Sequence, residues 1–203
     1  MNANRIAALT GAGFVLLYIA SFVITGEPPD ATEDSAQEIV DFYVDNDSSV
    51  MAGTFVGAFG LVSLLFFGGY LRKLFEAAAG PGHLLPKVVQ AGTIVLVAGA
   101  AFDLTVNLAL AEAADDIDPV GVQTLNALWN NDFVPMAVGG LAFILASGLS
   151  ILRHGALPKW LGWVAIVLAV AMATPAGFVG FLGMGVWILV VSIMQAVKEP
   201  AAA

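Results

Sequence analysis

The chain has 203 residues and a net charge of −9, with 59% hydrophobic and 11% charged residues and a mean hydropathy of +0.89. A soluble domain is nearer one half apolar and about one quarter charged. This chain therefore lacks the polar surface to cover itself in water, and a bilayer is its natural solvent. It has no cysteine, which excludes disulfides, thiolate metal sites and a cysteine nucleophile.

A helix needs about 20 mainly apolar residues to cross a membrane, and six stretches fit: 5–25, 51–71, 88–110, 133–152, 159–174 and 177–197. The expected fold is all-α: a six-helix transmembrane bundle of three hairpins, forming one integral membrane domain over 1–203. The first span follows Arg5 and so resembles a signal peptide. Its apolar run from Ile6 to Ile24 is longer than a signal core, and no small-x-small cleavage site follows. It is expected to be retained.

Between the first two spans, Ser35-Ala36-Gln37-Glu38 fits a capping box, in which the serine and glutamate side chains each satisfy an orphan amide. Ala36, Ile39, Val40 and Tyr43 then recur at helical spacing. After the third span, Asp118 is placed to cap a helix with Pro119 at its first position. Val122, Leu125 and Trp129 supply its apolar stripe. Two short amphipathic helices are thus expected in the outer loops, lying on the membrane surface or on the helix ends. The last two spans form one uncharged run from Leu161 to Val197, which Thr174-Pro175-Ala176-Gly177 divides by a turn.

Charge placement tests the count. The basic residues are Arg5, Arg72, Lys73, Lys87, Arg153, Lys159 and Lys198. With six crossings and the N-terminus inside, all of them fall on the cytoplasmic side, as the positive-inside rule requires. Eight of the 16 acidic residues lie between Glu27 and Asp47 and five between Glu112 and Asp132, all outside. Glu76 and Glu199 are inside, and Asp103 is within the membrane. An odd number of spans would put Lys198 on the other side. The segment DNDSSVMA at 45–52 resembles NNDFVPMA at 130–137, either an internal duplication or shared capping chemistry. Asp47 and Asp132 would then sit near helix N-termini, where a carboxylate complements the macrodipole.

The chemistry of most enzymes is missing. His83 and His154 are the only histidines and fall in cytoplasmic loops, so paired intramembrane haem ligands and an H-E-x-x-H zinc site are excluded. Ala146-Ser147-Gly148 resembles part of the serine motif of rhomboid proteases. That chemistry needs a base, and the last span has no histidine, so Ser147 reads as a small packing residue. There is no phosphate-binding loop or dinucleotide fingerprint. Asp45-Asn46-Asp47 and Asp115-Asp116-Ile117-Asp118 miss the calcium-loop pattern. Asn46-Asp47-Ser48 is a glycosylation sequon too close to a span to be a good acceptor. No cofactor, metal or nucleic-acid partner is expected. Trp160, Trp163 and Trp129 read as an aromatic belt at the two interfaces.

Asp103 is the anomaly. A central Asp costs roughly 2.5–3.5 kcal/mol on insertion scales, whereas the apolar residues between Val88 and Leu110 contribute roughly 3 to 7 kcal/mol by the same scale. The span inserts regardless. Gly92, Leu96, Gly99, Asp103 and Asn107 share one stripe, and small residues let another backbone approach, so Asp103 is expected to face a neighbouring helix. Asn107, four residues on, is placed to hydrogen-bond it. No Lys or Arg lies at that depth. Ser21, Thr25, Thr54 and Thr174 do, as candidate donors or ligands. The candidate binding set is therefore Asp103, Asn107, Thr54, Ser21 and Thr174, serving either as a structural hydrogen-bonded or hydrated acid, or as a proton or cation site.

Leu157-Pro158-Lys159-Trp160-Leu161-Gly162-Trp163, Pro175-Ala176-Gly177-Phe178-Val179-Gly180-Phe181 and Asp41-Phe42-Tyr43 together resemble small bacterial multi-pass membrane proteins classed as domains of unknown function. The resemblance implies a helical fold and a plasma-membrane location, and carries over no site residues. Two expectations follow. The first is a non-enzymatic bundle with an assembly, sensing or accessory role, meeting a membrane or envelope partner through its acidic outer surface. The second is a small proton- or cation-coupled transporter using Asp103 and Asn107. The lipid bilayer is the one partner common to both, and the oligomeric state stays open.

Overall fold

The computed structural model of the chain describes residues 3–198; Glu199 lies outside the described residues. The described residues are helical, in the order α1 (Ala3–Thr25), α2 (Ala36–Asp45), α3 (Asp47–Ala79), α4 (Leu84–Ala113), α5 (Pro119–Trp129), α6 (Val134–His154), α7 (Lys159–Met172) and α8 (Gly177–Val197). Five stretches are long and apolar enough to cross a membrane: Asn4–Thr25, Asp47–Ala79, Leu84–Ala113, Pro119–His154 and Gly177–Val197. The fourth contains both α5 and α6.

The expected span over 159–174 is where the structure departs from the sequence reading. α7 stops at Met172 after 14 residues, which at 1.5 Å per residue is about 21 Å, short of a hydrocarbon core of roughly 30 Å. The reason is local. Ala173, Thr174 and Pro175 close a turn in which the Thr174 hydroxyl turns back to donate to the Ala171 carbonyl at 2.8 Å. By contrast α3 runs 33 residues, about 50 Å, so it extends well beyond any bilayer.

The long helices form a closed ring in which α1 touches α3, α3 touches α4, α4 touches α6, α6 touches α7, α7 touches α8 and α8 returns to α1. Glycines set these approaches. An added Cβ at Gly92 would meet the Phe143 backbone nitrogen at 2.6 Å, and one at Gly99 the Met136 nitrogen at 2.7 Å. Without hydrophobic driving force between helices in lipid, such close backbone packing is what holds them together. Between α1 and α8 the Ser192 hydroxyl donates to the Ala8 carbonyl at 2.6 Å and accepts from the Ala12 amide at 2.9 Å. The main core, with Leu64, Phe67, Leu71, Phe75, Phe143 and Trp187 fully buried, fills the end of the ring nearer the basic residues.

That end is cationic. Lys73 near the end of α3 reaches Asn4 at the start of α1, the Tyr70 hydroxyl meets Gln195 near the end of α8 at 3.3 Å, and the rings of His83 and His154 lie 4.9 Å apart. The two histidines are thus packed on each other at the α4 start and the α6 end, a contact hidden by their separation in sequence.

At the opposite, acidic end α2 and α5 pack against each other and against the ends of α3 and α4. Both caps form as the sequence indicates. Ser35 and Glu38 make the capping box, and Asp118 accepts from the Val120 amide at 2.9 Å with Pro119 at the first position. Ile39, Tyr43, Val122 and Leu110 close a second core between them. The apolar stripes of the two outer helices therefore cover each other, and charged faces such as Glu38 and Asp41 are what remains exposed.

Candidate functional site

The site begins with two glycines of α3. An added Cβ at Gly57 would lie 2.8 Å from Ser21 Oγ and 3.2 Å from the Leu104 methyls. α1 and α4 therefore meet across a helix face that has no side chain there. The Ser21 hydroxyl donates to the Gly53 carbonyl at 2.7 Å, which fixes α1 on that face.

Above this floor is a cavity of about 480 Å³, within the range of roughly 300–1,000 Å³ typical of small-molecule sites. α1 contributes Tyr18, Ser21, Phe22 and Thr25; α4 contributes Asp103, Leu104 and Asn107; Trp129 at the end of α5 closes it over, and Glu27 stands at its rim. Asp103 is half-buried. Asn107 is 6% exposed, and its Oδ1 is buried with no hydrogen-bond partner. The Trp129 indole nitrogen is also buried and faces Asp103.

A second carboxylate, Asp132, approaches from the turn between α5 and α6. The contacts pair Gly92 with Phe143, Leu96 with Gly139 and Gly99 with Met136. Continuing this antiparallel register by one turn brings Asp103 opposite Asp132. The two are electrostatic neighbours, and Asp132 is 7% exposed with Oδ2 buried and unpartnered. Among the described residues the single ion pair is Arg72–Glu76, at 2.9 Å on the surface of α3. Among the described residues no Lys or Arg pairs with Asp103 or Asp132.

The candidate set divides on this geometry. Asp103, Asn107 and Ser21 come together in one cavity with Thr25. Thr54 lines a different groove, between α3 and α4. Thr174 is exposed in the α7–α8 turn and bonded to its own helix end, so it leaves the set: the early end of α7 keeps it away from α1 and α4. Among the described residues no hydrogen bond joins Asp103 to Asn107, whose Oδ1 is buried without a partner. Trp129 is a lid on the site and not a belt residue, whereas Trp160 and Trp163 are exposed as a belt requires. The echo of Asp47 and Asp132 is also partial. Asp47 accepts from the Ser48 amide and, at 2.8 Å, from its hydroxyl, while Asp132 makes no such cap.

No family model matches the chain, and no curated protein and no solved structure matches it. Among the described residues there is no group of three or more His, Asp or Glu side chains placed to hold a metal ion. The site is thus an aromatic-walled cavity with one half-buried carboxylate, a second behind it, and one unpartnered amide oxygen at Asn107.

Proposed function

We propose that this chain is a non-enzymatic plasma-membrane protein of bacterial type with a sensing or accessory role, and that its input is a cation reaching Asp103 from the outer face. In this reading α1, α3, α4, α6 and the α7–α8 hairpin make a six-helix bundle with both termini cytoplasmic. The shortness of α7 does not disturb the sidedness. A hairpin returns Lys198 to the side of Lys159 whether or not its tip reaches the far surface, so every Lys and Arg stays together.

The observation that carries the reading is the cavity ending at Asp103 and Asn107 at the acidic end. Toward the cationic end the ring is filled by Phe67, Leu71, Phe143 and Trp187, so the cavity is one-sided, which suits binding better than passage. The apolar stripes of α2 and α5 support the same choice, since Ile39, Val40, Tyr43 and Val122 are spent on the packing of the two helices.

The cysteine-free chain suits a single-cysteine test. In oriented vesicles a small cationic thiosulfonate should modify Asn107→Cys from the outer side, more slowly when Asp103→Asn is added, and should modify His83→Cys from the inner side alone. Modification of Asn107→Cys from the inner side would refute the reading. A second reading, a proton- or cation-coupled transporter, draws on the buried, unpartnered hydroxyls of Ser147 and Ser150 in α6. Cation flux into reconstituted vesicles that disappears in Asp103→Asn would select it.

A further inference from the structure

The walls of the cavity say more than its charge. Three of its side chains are aromatic, Tyr18, Phe22 and Trp129, and Tyr18 and Phe22 meet edge to face with centroids 5.1 Å apart. Aromatic faces attract cations through the ring quadrupole, most strongly where water is excluded. A bare inorganic ion is served poorly here. Calcium takes six to eight oxygen ligands and magnesium a near-octahedral set, and no cluster of three or more metal-type side chains exists among the described residues. A volume of about 480 Å³ is many times the ~30 Å³ that a water molecule occupies. An anion is disfavoured, because the seven Lys and Arg residues belong to the opposite end of the ring while Asp103, Asp132 and Glu27 stand at this one.

Access points the same way. Phe22 and Val23, which form one side of the cavity, are 58% and 77% exposed on α1, so the rim opens onto the apolar surface of the bundle. The α7–α8 hairpin leaves this depth uncovered. Met172, at the end of α7, meets α6 at Gly140, below Asp132, and Val134 and Val138 on the outer turns of α6 stay exposed. A ligand can therefore arrive from the outer leaflet with its apolar part still in hydrocarbon.

We propose that the cavity binds a hydrophobic organic cation, a single positive centre carrying aryl or alkyl groups, with the charge beside Asp103 and the apolar groups between Tyr18, Phe22 and Trp129. This rests on the reading of the cavity as a one-sided ligand site. Asp103 supplies the counter-charge, with Asp132 behind it adding to the negative potential.

The test is binding of radiolabelled tetraphenylphosphonium to the purified full chain in neutral detergent. Saturable binding is expected, at least tenfold weaker in Asp103→Asn and retained in Asp103→Glu, with neutral triphenylphosphine oxide failing to compete. Absence of binding, equal binding by Asp103→Asn, or equal competition by the neutral compound would overturn the proposal. The last of these would mark a merely apolar pocket. Sodium and calcium, scored by Asp103-dependent protection of Asn107→Cys from the cationic thiosulfonate, separate the two levels. Protection by either ion without tetraphenylphosphonium binding overturns the ligand class and leaves the one-sided site standing. No protection and no binding overturns both.

Discussion

Gly139→Ala is the sharpest perturbation of the α4–α6 contact. The added Cβ would lie 2.6 Å from Leu96 Cα and 2.8 Å from the Val95 carbonyl carbon, where ordinary carbon contacts are about 3.5–4.0 Å. Both neighbours are backbone atoms, so no side chain can swing aside and the two helices must part by about 1 Å. A gap of that size forfeits a quarter to a half of each dispersion contact along the seam, and overpacking of this kind costs about 1–3 kcal/mol. Alanine's better helix propensity returns about 1 kcal/mol, which leaves a net loss of roughly 0–2 kcal/mol. Gly185→Ala in α8 is the control. Nothing lies within 4 Å of its added Cβ, so the propensity term acts alone and the variant should be neutral or slightly stabilised. Unfolding by titration of sodium dodecyl sulfate into neutral mixed micelles, followed by circular dichroism, compares the two. Equal stability of Gly139→Ala and Gly185→Ala would show that backbone proximity of α4 and α6 is not what holds this seam. Because the same seam carries Asp103 and Asp132 about two turns further on, Gly139→Ala should also weaken cation binding at the cavity.

Two further outcomes concern the outer layer. Tyr43→Phe removes the hydroxyl that donates to Asn126 Oδ1 at 3.1 Å; Asn126 is fully buried and keeps its bond to the Pro29 carbonyl, so a loss of about 1–3 kcal/mol is expected for the acceptor left unsatisfied. Thermal unfolding is the measurement, and an unchanged midpoint would count against a dry α2–α5 interface. Ser35→Ala should loosen α2 by about 0.5–2 kcal/mol, as N-cap losses do, read as faster proteolysis between Thr25 and Asn46. The same layer has a pH response of defined sign. The Ser35 hydroxyl and amide hold the Glu38 carboxyl below its ordinary range, and the Thr32 side chain and amide do the same for Asp30. Groups lowered on folding stabilise the fold above the unfolded carboxylate range and lose that contribution as pH falls through the folded-state value. Acidification should therefore speed cleavage of the native chain toward the Ser35→Ala rate; identical pH profiles for the two would refute the capping account.

The elements were legible because their signals are local. Ser35 with Glu38 and Asp118 with Pro119 mark helix starts within four residues, and α2 and α5 begin where those residues say. The runs of 5–25, 133–152 and 177–197 differ from the observed helices by only a residue or two at either end. α3 and α4 overrun their apolar spans because helices do not stop where hydrophobicity stops, and nothing at Arg72 or Lys87 breaks them. α7 falls short because Thr174 and Pro175 end it before the apolar run ends. Of the site, Asp103 and Asn107 stood out as polar residues in an apolar span, and Gly92 and Gly99 gave their facing. Tyr18 carried no signal, being one aromatic among many on α1, and Trp129 was misread because an interfacial tryptophan has the same sequence signature whether it faces lipid or a cavity.

What this chain determines without its tertiary structure is the choice of solvent, the helical periods and the segregation of cations from anions. These follow from transfer free energies and from contacts within one helical turn. What only the folded arrangement decides is the pairing: the register that sets Asp103 against Asp132, the cover of α2 by α5, and the meeting of Tyr18, Asn107 and Trp129 around one space. Those contacts join residues far apart in the chain. They depend on how closely glycine-bearing backbones approach, a distance that no pattern within a single helix encodes.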